Sequence, residues 1–369
     1  MRHSPGSWLL GLLVACSVGC PFNTSIASSG PVSVADVQTS VGSLDGVPYR
    51  IDIPVHWNGD LVVLMHGYEP KGVPRQNPWP RNEEAPVFLS RGYAVAASAF
   101  ASQGWAVGDA VEDSEKLRES FIKQHGKPRH AYVVGFSLGG LEALAAIERH
   151  GPPYSGALSV CGVNVSAPEI IARGVVTPLV VFDAYFPGVL PDLADPASPA
   201  MIDQDRIQEA LKSHPASAAR LADRLQETSA TLPGALMLDY MVLREIEQRA
   251  GGMPVDTMKT SYVEFADDGA FNGRVRRYKG SPSAMAYLAD NVTLTGKVTA
   301  PVVLQRNTFD QTVPSRFDTV YPGLAKAAGN ASKVTVLPTV GEGHCAFTHE
   351  QIGEAFDVLV EKGSEARSR

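Results

Sequence analysis

The segment Val133-Val134-Gly135-Phe136-Ser137-Leu138-Gly139-Gly140 places Gly-x-Ser-x-Gly between an apolar run and an amphipathic pattern from Leu138 to Arg149. A serine on a sharp turn from strand to helix holds its hydroxyl clear of the sheet. The flanking Gly135 and Gly139 are required there because a Cβ would strike neighbouring backbone. Ser137 is therefore the candidate nucleophile. The amide of Leu138 opens the helix and, with the helix dipole, points at the place where a tetrahedral oxyanion would form. The pentad alone is a weak signal; the strand before it and the helix after it give it weight.

The rest of the chain has to build a scaffold for that turn. It has 369 residues, 44% apolar and 19% charged, with 34 glycines and 27 prolines, which excludes a disordered or fibrous protein and allows one large α/β domain or two ordinary ones. A formal charge of −7 offers no electrostatic footprint for a polyanion, so no nucleic-acid partner is expected. Four cysteines are too few for a disulfide scaffold and lack the paired short spacings of a zinc site; no metal and no cofactor is expected.

Arg2 and His3 precede an apolar run from Trp8 to Val14, the pattern of a secretory leader too short to span a bilayer as a mature helix. Leu13-Val14-Ala15-Cys16 resembles a bacterial lipobox, which makes Cys16 the lipidated residue; Ser17-Val18-Gly19-Cys20 is the competing lipobox and an ordinary cleaved signal the third reading. All three export the protein, and the first two tether it to a membrane of the bacterial cell envelope. Residues 1–20 are thus read as the leader and 21–36, rich in Ser, Gly and Pro, as a flexible tether.

From Val37 onward short apolar runs alternate with helical patterns, the signature of a mostly parallel sheet covered by helices. Strands are expected over Gly46 to Ile53, Leu61 to Met65, Tyr93 to Ser98, Ala131 to Gly135 and Ala157 to Cys161, with helices over Pro86 to Arg91, Asp109 to Gln124 and Leu138 to Arg149. The alternation then breaks for a long helical stretch and resumes at Pro301 to Gln305. This divides the chain into a first core part, 37–165, a mainly helical cap inserted after the sixth strand, 166–298, a second core part, 299–363, and a tail, 364–369. An insertion inside a regular α/β chain reads as a lid over the crevice at the strand ends.

With the elbow, the alternation and the insertion in place, the mature chain resembles the α/β-hydrolase superfamily over nearly its whole length. That resemblance implies further parts at particular places. The oxyanion loop falls at Leu64-Met65-His66-Gly67-Tyr68, where the Tyr68 amide would be the second donor, Gly67 would allow close approach, and His66 has a supporting place with no acid or base role. The acid falls after the strand that follows the cap, at Asp310 in Phe309-Asp310-Gln311-Thr312-Val313-Pro314; Asp183 is the alternative. The base falls after the last strand, at His344 in Gly341-Glu342-Gly343-His344-Cys345, the one of nine histidines with both order and setting. The order Ser137, Asp310, His344 is that of the superfamily and differs from chymotrypsin-like and subtilisin-like proteases. The implied activity is hydrolysis of a small-molecule or lipid-like ester through an acyl-enzyme; a serine peptidase or amidase, an acyltransferase, and a non-catalytic binding lipoprotein are the alternatives.

Cys161 closes the strand after the nucleophile helix and Cys345 follows His344, so both fall at the carboxyl rim of the sheet in an oxidising compartment, and a Cys161–Cys345 disulfide is expected. Tannases and feruloyl esterases carry a related cystine beside serine and histidine, but here Phe136 rather than cysteine precedes Ser137. In the cap, Phe182, Tyr185, Phe186, Met237, Tyr240 and Met241 are either pocket walls or cap core. Arg274, Arg276, Arg277 and Lys279 are either a receptor for an acidic substrate or a solvated loop. Glu245 and Glu247 are the carboxylates that a peptidase would use as a terminus anchor, and Trp105 and residues 77–80 lie on loops bordering the crevice.

Overall fold

The computed structural model describes residues 36–263, 265, 267–291 and 293–367. The leader, Cys16, Cys20 and nearly all of the tether lie outside the described residues. Eight strands form a single sheet: β1 (Val37–Leu44), β2 (Val47–Pro54), β3 (Leu61–Met65), β4 (Ala94–Ser98), β5 (Ala131–Phe136), β6 (Gly156–Val160), β7 (Val302–Gln305) and β8 (Val334–Val336). Their order is β1-β2-β4-β3-β5-β6-β7-β8. The β1–β2 and β2–β4 pairs are antiparallel, and every later pair is parallel.

The central strands are continuous apolar runs because the sheet is covered on both faces. Successive side chains of β3 alternate between two cores: Leu61, Val63 and Met65 join one, Val62 and Leu64 the other. The first core lies under α2 (Val107–His125) and α3 (Leu138–His150), after α1 (Ala85–Leu89) has crossed to the other face. The second core is closed by α1 and by the final helix, whose Phe356 meets Phe88 and Tyr93 edge to face at ring separations of 5.0 Å.

Between β6 and β7 the chain is helical: α4 (Ala167–Ile170), a wider π-helical turn over Ile171–Val176, α5 (Thr177–Tyr185), α6 (Gln204–Ser213), α7 (Pro215–Leu225), α8 (Leu232–Ala250), α9 (Asp268–Arg274) and α10 (Pro282–Asn291). These helices bury Leu179, Phe182, Ile207, Leu221, Leu236, Tyr240, Leu243 and Phe271 in the same apolar cluster as the α2/α3 face of the sheet. Two more helices follow, α11 (Val320–Ala327) and α12 (His349–Arg367). The last packs an apolar stripe, Ile352, Ala355, Phe356 and Leu359, on the sheet at the helical period, and continues past residue 363.

Candidate active site

Ser137 joins β5 to α3 with φ 57° and ψ −121°, a left-handed conformation that an L-residue adopts only when its surroundings enforce it. The enforcement is visible in the glycines. A Cβ on Gly135 would overlap the carbonyl of Gly139, and one on Gly139 would overlap the carbonyl of Met65. The turn is held by Ser137 N–H donating to Val160 O at 3.1 Å and by Gly140 N–H donating to Ser137 O at 2.9 Å.

His344 brings Nε2 to 2.7 Å from Ser137 Oγ, while its Nδ1 lies 2.8 Å and 3.0 Å from the two oxygens of Asp310. With the Nδ1 proton donated to the carboxylate, Nε2 presents a lone pair to the serine hydroxyl. Asp310 is buried and is aimed by two backbone amides, Thr312 N–H at 2.8 Å and Val313 N–H at 2.9 Å, both donating to Oδ1. The loops that carry Asp310 and His344 are zipped together beyond the strand ends: Thr308 N–H donates to Gly341 O, and Gly343 N–H to Phe309 O, each at 2.9 Å. Asp183 sits on α5 in the cap, and the hydrogen bonds that join Ser137, His344 and Asp310 do not involve it.

The loop after β3 faces the serine from the other side. Gly67 comes so close that an added Cβ would lie 3.1 Å from Ser137 Cβ and 3.3 Å from Phe136 O. The Tyr68 amide makes no hydrogen bond among the described residues, and the Leu138 amide is one of the first-turn donors that a helix leaves unpaired. His66 stacks on Phe100 at 4.1 Å and donates from Nδ1 to Gly67 O at 2.8 Å. Burial lowers its pKa and keeps the imidazole neutral, which suits a supporting wall.

Cys161 and Cys345 form a disulfide with their Cα atoms 5.2 Å apart. Both residues have positive φ, 47° and 54°, and the bond ties the end of β6 to the loop that carries His344.

Ser137, Leu138, Tyr68 and Trp105 open onto a cavity of about 90 Å³ whose other walls include Ile170, Val175, Leu238, Val242 and Phe317. The aromatic and Met residues singled out in the cap do not line it. Phe182, Phe186 and Tyr240 are cap core, and Tyr185 hydrogen-bonds to the Phe265 carbonyl. Sequence reasoning missed Leu238 and Val242, although they lie on α8 one residue on from Met237 and Met241. The basic run lies elsewhere: Arg277 donates to backbone carbonyls of Thr257, Thr260 and Asn272, and Arg276 pairs with Asp192 at 3.6 Å. Glu245 and Glu247 are engaged within the chain, by Trp105 N–H and Arg249 and by Arg244 respectively.

No family model matches the chain, and no curated protein matches it. Among solved structures the chain is similar to an esterase from Pyrococcus furiosus, 13% identical over 88% of this chain and 91% of that one, with a TM-score of 0.45. It is also similar to Est1E from Butyrivibrio proteoclasticus with ferulic acid bound, 13% identical over 88% and 98%, TM-score 0.46. A third is brefeldin A esterase, described as a bacterial homologue of human hormone-sensitive lipase, 15% identical over 95% and 81%, TM-score 0.46. The mostly parallel sheet with helices on both faces and the strand–serine–helix turn after β5 make this an α/β-hydrolase-like fold.

Proposed function

We propose that the protein is a serine hydrolase that cleaves carboxylic esters through an acyl-enzyme on Ser137. The observation that carries this reading is the unbroken relay from Ser137 Oγ through His344 to the buried Asp310 carboxylate. As Ser137 Oγ attacks the ester carbonyl, His344 Nε2 takes its proton, and Asp310 stabilises the imidazolium that results. The amides of Tyr68 and Leu138 receive the oxyanion. His344 then gives the proton to the departing alcohol and afterwards takes one from the water that releases the acid.

The cavity touches Ser137 and both oxyanion residues but not His344. A leaving group has to depart within reach of Nε2, so the cavity takes the acyl arm. An apolar cavity of about 150 Å³ holds a benzene ring, so one of about 90 Å³ suits a short acyl chain. The internal engagement of Glu245 and Glu247 supports an ester over a peptide held by a charged terminus.

Turnover of a p-nitrophenyl ester series from acetyl to long acyl chains, with Ser137→Ala as control, tests the reading. Activity that disappears in the variant and peaks at short chains supports it. A wild-type chain that neither turns over an ester nor reacts with a fluorophosphonate rejects it.

Export and lipid anchoring at the cell envelope are part of the same proposal, supported by Arg2, the run from Trp8 to Val14 and Leu13-Val14-Ala15-Cys16. Metabolic labelling with a fatty acid, lost in Cys16→Ser and retained in Cys20→Ser, is the expected result.

A further inference from the structure

The acyl cavity does not end in hydrocarbon. Asp239, on α8 beside Leu238, lines it, and the same residue lines a second, smaller cavity of about 20 Å³ with Glu227, Gln311 and Arg316. Gly174, Leu238, Thr312 and Pro314 belong to the walls of both, so the two spaces are neighbours across one partition.

The other charged groups at the partition have partners. Glu227 Oε2 accepts from Thr231 Oγ1 at 2.6 Å. Arg316 donates its backbone amide to Gln226 Oε1 at 2.8 Å and its guanidinium to the Leu225 carbonyl, and the guanidinium lies 4.8 Å from the centre of the Phe317 ring. The Asp239 carboxyl makes no hydrogen bond to a described residue; Arg316 and Glu227 act on it only through their charge. Asp239 is half-buried, and a carboxyl set in the walls of two cavities without a hydrogen-bond partner gains by finding one. Burial pushes its pKa well above the usual carboxylate range, which favours the protonated form with one O–H donor and a free acceptor.

Arg316 and Glu227 line the smaller cavity and not the acyl cavity, so neither charged group stands in the wall that an acyl arm would meet. A neutral hydroxyl, donor and acceptor at once, can pair with Asp239 in both directions.

We propose that the cavity recognises a hydroxyl group on the acyl arm, with Asp239 as the specificity-determining residue, so that the substrates are esters of short hydroxy acids. This inference rests on the ester-hydrolase reading of Ser137.

The test compares kcat/KM for p-nitrophenyl 3-hydroxybutanoate and p-nitrophenyl butanoate on the full chain, in wild type, Asp239→Leu and Asp239→Asn, with thermal unfolding to show that each variant is folded. Wild type should favour the hydroxylated ester by about tenfold, the worth of one hydrogen bond to an otherwise unpaired group. Asp239→Leu should erase or invert that preference. Asp239→Asn, whose amide also donates and accepts, should keep at least about a threefold preference. A wild-type ratio near one, or a preference that survives Asp239→Leu or vanishes in Asp239→Asn, overturns the inference. The wild-type ratio and the Asn variant decide the matter even if the Leu variant does not fold. Turnover of p-nitrophenyl acetate, compared with Ser137→Ala, reads the parent proposal separately: acetate hydrolysis with no hydroxyl preference sinks the specificity and leaves the ester hydrolase standing, whereas no serine-dependent acetate hydrolysis sinks both.

Discussion

The sulfur of Cys345 lies 3.6 Å from Nε2 of His344, the same nitrogen that meets Ser137 Oγ at 2.7 Å. The disulfide to Cys161 therefore acts on the position of the proposed base. It fixes the residue next to His344 to the end of β6, the strand beside the one that leads into Ser137. Reduction, or the double change Cys161→Ser with Cys345→Ser, should lower kcat by about 10–100-fold, the scale on which a displacement near 1 Å affects a reacting group. Stability should fall by about 2–4 kcal/mol. Peptide mapping with and without reductant shows whether the linkage is the one broken. If kcat is unchanged after reduction, the two backbone pairs between the Asp310 and His344 loops are sufficient to hold the base.

Removing each member of the relay separates chemistry from positioning. Ser137→Ala and His344→Ala should each lower kcat by a factor on the order of 10⁴–10⁶. Asp310→Asn is the more informative change. Its side-chain oxygen can still accept from Thr312 and Val313, so the loop should keep its shape, while the amide cannot hold His344 in the required tautomer. A loss of about 10⁴ in kcat with little change in melting temperature is expected. Pre-steady-state release of p-nitrophenol from the acetate ester checks the order of events: the burst should vanish in Ser137→Ala.

Two acids in the cap, Glu227 half-buried and Glu247 buried, set an unusual direction for stability against pH. Burial pushes the Glu227 carboxyl up to about 7 despite the hydrogen bond from Thr231. Burial does the same to Glu247, also to about 7, despite its ion pair with Arg244. A carboxyl with a raised folded pKa binds a proton in the folded state that the unfolded chain has already released. Stability then declines as pH rises from the ordinary value near 4.5 through 7. Asp52 works the other way: burial alone would raise it, but hydrogen bonds from Arg81, Arg50 and Thr39 outweigh that and lower it, so its contribution is lost only in acid. The melting temperature should be higher at about pH 5.5 than at about pH 8, and Glu227→Gln, which keeps the Thr231 bond, should reduce the difference. A melting temperature that climbs steadily to pH 8 in wild type would show that these acids are ionised in the fold.

What the sequence conveyed depended on how local the physics was. The elbow was legible because Gly135, Ser137 and Gly139 are dictated by contacts within a few residues of one another. Asp310 and His344 were placed by the resemblance to the α/β-hydrolase superfamily, which expects an acid and a base after particular strands; the last of these, Val334–Val336, is short and only partly buried and gives little signal of its own. Strand β1 was not expected: on the sheet edge, Gln38, Thr39 and Ser43 face solvent, so no apolar run marks it. Its signal was instead the Asp45-Gly46 turn, where both residues have positive φ, as a two-residue hairpin requires. The cavity wall was missed by one position on α8, since Met237 and Leu238 are about 100° apart on a helix and only tertiary packing decides which faces the serine. Asp239 was invisible for the same reason, because an acidic residue in a helical pattern reads as a solvated face until the partition behind it is seen.

The cap also reaches the loop after β3, through Glu245. Its Oε2 accepts Trp105 N–H at 2.9 Å, and its Oε1 accepts Arg249 Nε–H at 2.9 Å, while Arg249 donates onward to Gln103 O at 2.6 Å and Ser102 Oγ at 3.1 Å. The segment thus held by α8 pairs with the loop that carries Tyr68, since Gly104 N–H donates to Glu69 O at 2.8 Å. Glu245 is therefore a positioning residue for the proposed oxyanion donor, acting through Gly104 and Trp105. Glu245→Ala should lower kcat by about 10–100-fold with little change in KM, because a misplaced donor is felt where negative charge develops. It should also cost stability, up to about 3 kcal/mol, by leaving the Trp105 amide without its acceptor and Arg249 without its carboxylate on α8. Glu245→Gln keeps an acceptor for that amide and should restore most of kcat. If Glu245→Ala instead raises KM at constant kcat, the carboxylate shapes the acyl cavity beside Trp105 and leaves the oxyanion donor where it is.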